Sequence, residues 1–274
     1  MILADEFDAF LIDLDGVIYV GDTALPGVRE ALQELRQRGK RLLFLTNDPR
    51  SSRRYYCEKL RGLRIPAAEH EILTSGAATA QYISQHEKTE GRTAFVVGTA
   101  ALKNEIEQTG LKVVEGEPGR YAEFVVVGGH EDFHYRELRV AALAVRGGAR
   151  FYATNRDPTF PMPDGPWPAV GAILSAVEVA AGRTAKVIGK PEPYMFEAAS
   201  SLLGTCHRIA VIGDSPQTDI EGGRRAGMST ILVGAWDEQL PESERPDFVV
   251  RSLPELLDAN ATDPRSGGLR EGLP

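Results

Sequence analysis

The chain is poor in cysteine, carries no excess of basic charge and has no long apolar run. Its 274 residues include two cysteines, Cys57 and Cys206. Neither stands in a Cys-x-x-Cys pair, and Cys206-His207 has no second pair to complete a zinc site. The two are read as packed thiols in a reducing compartment. Acidic residues outnumber basic ones, for a formal net charge of -8 and a pI near 5.3. Such a balance fits neither nucleic acid nor an anionic membrane as a non-specific partner. Any phosphate must therefore be met locally, by a metal, a lysine or backbone N–H groups. No apolar stretch approaches membrane-spanning length, and the first residues carry acid where a secretory signal carries base. A cytoplasmic protein with no membrane partner is expected. No strand leads into Gly-x-Gly-x-x-Gly, which argues against a dinucleotide enzyme.

With 42% hydrophobic and 26% charged residues the chain can bury a core. Its length allows one large domain or two ordinary ones. The stretch around which the chain is organised is Phe10-Leu11-Ile12-Asp13-Leu14-Asp15-Gly16-Val17-Ile18. The apolar run has the length and composition of a buried parallel strand. Two carboxylates at the tip of a core strand need a reason, because buried charge is costly unless paired or bound to metal. A hard cation shared with a substrate phosphate is such a reason, and Gly16 lets the backbone approach a ligand.

In order, the pattern predicts helix over 28–38, strand over 41–45 and helix from Ser51 or Ser52 to about Gly62. This βαβα opening implies a parallel sheet with helices on both faces. The middle reads as helix 76–85, strand 93–97, helix 101–108, strand 111–114, strand 123–127, helix 135–145 and strand 150–153. Residues 154–168, with five prolines, read as a long irregular loop of the functional kind. Helix 171–181, strand 185–188 and helix 194–203 follow. A buried strand over 208–212 leads to Gly213-Asp214-Ser215, with Ser215 and Pro216 opening a helix to Ala226. Short strands at 230–233 and 248–250, a helix at 252–257 and a frayed tail from Ala259 complete the reading.

Four strand ends carry polar residues that a core strand does not need: Asp13 and Asp15, Thr46, Lys190, and Asp214 with Asp219 behind it. In open α/β sheets ligands bind outside the carboxyl ends of the strands. Asp13 to Thr46 spans one β-α-β unit, and Lys190 to Asp214 another. Thr46 to Lys190 is far too long for one crossover, so an insertion of domain size is expected. The fold class expected is α/β, a Rossmann-like parallel core of residues 1–75 and 186–274 with an inserted α/β domain over 76–185. Three aspartates, a lysine and a threonine suit a phosphate monoester with Mg²⁺. Asp13 is the expected nucleophile, and Asp15 the general acid and then base. Asp214 completes the metal shell, while Lys190 and Thr46 hold phosphoryl oxygens.

These motifs resemble the haloacid dehalogenase-like superfamily of phosphatases, in the branch with NagD-like sugar phosphatases and the p-nitrophenylphosphatase, phosphoglycolate and pyridoxal phosphate phosphatases. Asp-Leu-Asp-Gly-Val at 13–17 is similar to the first motif, Leu45-Thr46-Asn47 to the second and Gly189-Lys190-Pro191-Glu192-Pro193 to the third. Gly213-Asp214-Ser215 with Asp219 and Gly222 is similar to the fourth. Ala153-Thr154-Asn155-Arg156-Asp157 and Phe160-Pro161 resemble the branch's inserted cap. The resemblance implies Mg²⁺ as cofactor, the Asp15 main-chain carbonyl as a metal ligand and Asp219 in support of the metal site. It also implies phosphate contact by Asn47 and a homodimer through the cap. Two positions depart from the family pattern. Asp48 stands where Asn is usual, and Pro168-Ala169-Val170-Gly171 where Pro-Gly-Ala-Gly is usual.

Asn155 and Asp157 are expected to read hydroxyl or amine groups of the leaving group. His130 and His134 read as solvated surface, and Tyr194-Met195-Phe196 as core packing. The expected function is hydrolysis of a small phosphorylated metabolite: a sugar phosphate, phosphoglycolate, a nucleotide or pyridoxal phosphate. A receiver-type phosphoacceptor fits less well, because it is shorter and carries an adjacent acidic pair. A phosphotransferase or mutase differs only in replacing water by another hydroxyl. A silent binding protein fits poorly, because every chemical position is filled.

Overall fold

The computed structural model describes residues 2–162, 164–235, 239 and 241–258. The chain opens with strand β1 (Ala9–Asp13), a small hairpin of β2 (Tyr19–Val20) and β3 (Thr23–Ala24), helix α1 (Val28–Gln37) and strand β4 (Arg41–Thr46). Helix α2 (Arg53–Gly62), strand β5 (Ile72–Thr74) and helix α3 (Ser75–His86) follow. Next come β6 (Thr93–Gly98), α4 (Ala100–Glu107), β7 (Lys112–Val113), β8 (Phe124–Gly129), α5 (Tyr135–Arg146) and β9 (Arg150–Ala153). A second hairpin, β10 (Thr159–Met162) and β11 (Gly165–Pro168), precedes α6 (Val170–Ala181) and β12 (Lys186–Val187). The chain closes with α7 (Pro193–Leu203), β13 (Ile209–Gly213), α8 (Glu221–Arg225), β14 (Ser229–Val233) and β15 (Phe248–Val250).

Local sequence explains these elements. Val28, Ala31, Leu32 and Leu35 of α1 recur at helical spacing and are buried. Gly39, at φ +74°, ends that helix in a left-handed turn. The Thr74 hydroxyl caps α3 by accepting the Ala77 N–H at 3.1 Å. His134 caps α5 by accepting the Glu137 N–H, and the Glu137 carboxylate accepts the His134 N–H in return.

Two compact units result. One comprises the chain up to Thr46, Arg54–Leu73 and the residues from Ala199 on; the other comprises Asn47–Arg53 and Thr74–Ala198. The sheet of the first runs in the order β15-β14-β13-β1-β4-β5. β1 is parallel to both β13 and β4, and every residue of β1 is buried. From β1 the chain moves outward through β4 and β5, then returns to β13 and moves out the other way. The strand order thus reverses between β1 and β13, where an open α/β sheet forms its ligand crevice. Phe10, Ile12, Leu32, Leu35, Phe44, Tyr56, Leu60 and Ile212 belong to the core of this unit. The second unit has a parallel sheet in the order β12-β9-β8-β6-β7. Val140, Val145, Leu174 and Val177 of α5 and α6 share a core with Val125 and Val127 of its central strand.

Four sequence expectations need correction. The strand at 185–188 does not rejoin the first sheet; its two paired residues, Lys186 and Val187, lie beside Tyr152 and Ala153 in the second. Residues 154–168 are not wholly irregular, because Phe160 pairs with Trp167 and Pro161 with Pro166 in an isolated hairpin. Among the described residues no third strand joins this ribbon, so its prolines interrupt no further ladder. β5 and the β2–β3 hairpin were not foreseen, being too short for a periodic signal. The helix from Pro216 begins as a wide π-type turn over Pro216–Ile220 before α8, and the Ser215 side chain makes no cap. The tail from Ala259 lies outside the described residues. Among the described residues, no helix is long and apolar enough to cross a membrane.

Candidate active site

The carboxyl end of β1 delivers Asp13, 8% exposed, and two residues later Asp15, which is exposed. Between and beyond them the chain turns tightly: the Ile18 N–H donates to the Leu14 carbonyl at 2.9 Å and the Gly16 N–H to the Tyr19 carbonyl at 2.9 Å. Gly16 sits at φ +80°, and a methyl group there would stand 2.5 Å from Asp214 Cγ. Only glycine permits both the turn and that approach. β13, next to β1 in the sheet, ends at Gly213 and hands over to Asp214, which is exposed. Gly213 is equally constrained, because a methyl there would meet Asp219 Oδ2 at 2.5 Å. Asp219 is 2% exposed, and its Oδ2 accepts the Ser215 N–H at 3.3 Å.

Asp13, Asp214 and Asp219 each present an oxygen within 4.8 Å of the other two. Three converging carboxylates are an all-oxygen donor set of the kind that hard divalent cations take. The two glycines leave the space that a side chain would otherwise fill. The residues therefore fit a cation such as Mg²⁺.

Two regions of the chain match family models: residues 10–112 match the haloacid dehalogenase-like hydrolase and residues 187–256 the HAD-hydrolase-like family. The acid sugar phosphatase of Staphylococcus aureus is 37% identical over 229 residues, covering 83% of this chain and 86% of that protein. The chain belongs to the haloacid dehalogenase-like hydrolases. It is an enzyme acting on phosphate esters. Among solved structures of this family, the glycerol phosphate phosphatase of Mycobacterium tuberculosis in complex with magnesium superposes with a TM-score of 0.87 at 32% identity, over 94% of this chain and 78% of that one. The p-nitrophenyl phosphatase of Archaeoglobus fulgidus gives 0.83 at 31% identity, over 93% and 100%.

The structure places the other residues of the family motifs as follows. Thr46 ends β4 and is 3% exposed. Asn47 follows it in the chain and belongs to the second unit, as does Lys190, 3% exposed. Asn155 and Asp157 were expected at the leaving group. Asn155 is 2% exposed, and both ends of its amide are engaged internally: Nδ2 donates to the Asn47 carbonyl at 2.6 Å, and Oδ1 accepts the Asp157 N–H at 3.0 Å. The Asp157 carboxylate accepts from Asn47 Nδ2 at 3.2 and 3.0 Å. Asn47 was expected at the phosphate, yet its side-chain oxygen accepts the Lys190 N–H at 2.9 Å.

The departure at Asp48 is balanced locally. Its carboxylate takes two bonds from the Arg50 guanidinium, at 2.9 and 3.1 Å, and the Arg50 N–H at 2.9 Å. Arg50 also lies 4.1 Å from the ring centroid of Phe160 on β10. At the second departure Gly171 is retained, and a methyl there would stand 2.7 Å from the Asp157 carbonyl. Ser75 was missed: it is fully buried, and its hydroxyl donates to the Asn47 carbonyl at 2.6 Å. It stands directly after β5, at the carboxyl end of a strand like Asp13 and Thr46, but β5 itself gave no signal. His130 is not the solvated group expected; its ring meets Glu137 at 3.1 Å with 17% side-chain exposure. Met195 and Phe196 are fully buried, as core packing requires.

Proposed function

We propose that the chain is a Mg²⁺-dependent phosphatase of small phosphorylated metabolites, working through an aspartyl-phosphate on Asp13. The convergence of Asp13, Asp214 and Asp219 beside Gly16 carries this reading, because two of these carboxylates are buried and a cation between them would offset their mutual repulsion. The family supports it, as do relatives that act on sugar phosphate or glycerol phosphate, one of them solved with magnesium. Sugar phosphates and glycerol phosphate are therefore the first substrates to try.

In this reading Asp13 and Asp214, with the main-chain carbonyl of Asp15, would hold Mg²⁺. Asp219 holds the loop after β13 from behind, through the Ser215 N–H. The cation supplies charge neutralisation at the phosphoryl oxygens. Asp13 attacks phosphorus, and its carboxylate oxygen forms the new bond as the ester oxygen departs. Asp15 gives that oxygen its proton. Asp15, now a carboxylate, takes a proton from water, whose oxygen attacks phosphorus and frees Asp13 and inorganic phosphate. Thr46 and the Lys190 ammonium hold and neutralise phosphoryl oxygens as charge spreads over them.

The test is phosphate release from sugar phosphates, glycerol phosphate, p-nitrophenyl phosphate, phosphoglycolate, nucleotides and pyridoxal phosphate, in EDTA and after Mg²⁺ is restored. Activity on at least one of them, abolished by EDTA and regained with Mg²⁺, is expected. Undiminished turnover in EDTA contradicts the reading.

A further inference from the structure

The side-chain amide of Asn47 is paired to the main chain of Lys190 by two hydrogen bonds. The Lys190 N–H donates to Oδ1 at 2.9 Å, and Nδ2 donates to the Lys190 carbonyl at 3.0 Å. A planar amide thus occupies the position that a neighbouring strand would take. The second hydrogen on Nδ2 points at the Asp157 carboxylate, shared between oxygens at 3.2 and 3.0 Å. This third partner settles which way the amide faces: turned over, its oxygen would confront a carboxylate and a carbonyl. A bond to an ionised acceptor is also about twice as strong as a neutral one.

Asp157 is itself held in place. Its N–H donates to Asn155 Oδ1 at 3.0 Å, and its carbonyl accepts the Gly171 N–H at 2.8 Å. Asn155 Nδ2 and the Ser75 hydroxyl both donate to the Asn47 carbonyl, each at 2.6 Å. Asn47, Asn155 and Asp157 therefore form a closed ring of hydrogen bonds, with the Lys190 main chain attached. On the other side the Gly189 N–H donates to the Thr154 carbonyl at 2.8 Å. A methyl on Gly189 would stand 2.7 Å from Asn47 Oδ1, so the lysine-bearing turn lies directly against the ring. All of these residues belong to one compact unit.

We infer that Asp157 is a positioning residue for Lys190, acting through the Asn47 amide, and not a group that reads the leaving group. The inference rests on the proposed role of Lys190 in holding the phosphoryl group. Phosphate is common to every substrate and the leaving group is not, so loss of Asp157 must slow all substrates alike.

The experiment compares the full-length wild type with Asp157→Ala, Asp157→Asn and Lys190→Met, on p-nitrophenyl phosphate and on the best sugar phosphate found. Asp157→Ala is expected to lower kcat about tenfold on both, by factors within about threefold of each other, with KM nearly unchanged. Asp157→Asn keeps an acceptor oxygen and should recover most of that loss. Hydrogen–deuterium exchange should rise over residues 188–190 in Asp157→Ala and stay unchanged over β1. A large loss on the sugar phosphate with p-nitrophenyl phosphate unaffected overturns the inference in favour of substrate reading. A lowered unfolding temperature with unchanged kcat reduces Asp157 to a structural role and also overturns it. Near-normal turnover by Lys190→Met removes the proposed function of the lysine, and the inference falls with it. A crippled Lys190→Met beside a normal Asp157→Ala defeats the inference alone.

Discussion

Replacing Gly16 with alanine adds one methyl group where two motif loops meet. At φ +80° the residue is in the left-handed region, which costs an L-residue about 1–2 kcal/mol. Part of that is offset, by about 0.4–1 kcal/mol, because alanine restricts the unfolded chain. Gly39 provides the control: its φ is +74°, and a methyl there meets nothing within 4 Å. Gly39→Ala should lower the unfolding temperature by a few degrees for a chain of this size, and Gly16→Ala by at least as much. Only at position 16 does the methyl collide, standing 2.5 Å from Asp214 Cγ where ordinary contact begins near 3.4 Å. The Asp214 carboxylate must therefore retreat by about 1 Å, a misplacement of the size that can cost about 10²-fold in rate. Steady-state kinetics across a Mg²⁺ titration read this directly. Gly16→Ala should need at least about tenfold more Mg²⁺ for half-maximal rate, and its kcat/KM should fall by about 10²-fold. Gly39→Ala should match the wild type in both. If the two variants agree within threefold, the proximity of Gly16 to Asp214 has no bearing on the metal site.

Three further outcomes can be checked, two at the metal site and one at an ion pair away from it. Ca²⁺ should replace Mg²⁺ poorly, because it takes more ligands at longer distances and disturbs in-line alignment; equal rates with the two ions would contradict this. Asp13→Asn should lose turnover while keeping the wild-type unfolding temperature to within a few degrees, since an amide cannot serve as the nucleophile; substantial turnover would rule out Asp13. The hydrogen bond from Arg156 holds the Glu178 carboxyl below its ordinary value, so its contribution to stability is present above the unfolded pKa near 4.3 and fades as pH falls through the lower folded value. Glu178→Gln should thus unfold at a lower temperature than the wild type at pH 7, with the gap closing toward pH 3; a gap independent of pH would contradict it.

The parts of this molecule legible in its sequence are those encoded locally. The run from Phe10 to Asp13 announces a buried strand, and the polar residues after β1, β4 and β13 stand out because core strands do not need them. The hydrophobic spacing of α1 and α5 gives their buried faces directly. β5 and β12 escaped notice, or were assigned to the wrong sheet, because three or two residues carry no periodicity and only pairing defines them. The hydrogen-bond partners of Asn47, Asn155 and Asp157 were not legible for a different reason. Asn47 lies 108 and 110 residues from its partners Asn155 and Asp157, and 143 from Lys190. An asparagine beside a phosphate-type motif looks the same in sequence whether its amide meets a ligand or the chain itself. Asp48 departs from the family's Asn, and the bonds it takes from Arg50, two residues on, show in the sequence only as a pair of opposite charges.

The most direct test of the account is to find where the phosphoryl group rests during turnover. Wild-type enzyme is mixed with Mg²⁺ and substrate labelled at phosphorus, quenched in acid within milliseconds and digested into peptides. The account predicts transient, base-labile label on the peptide carrying Asp13, absent from Asp13→Asn. Label on a histidine, a serine or any other carboxylate would contradict it.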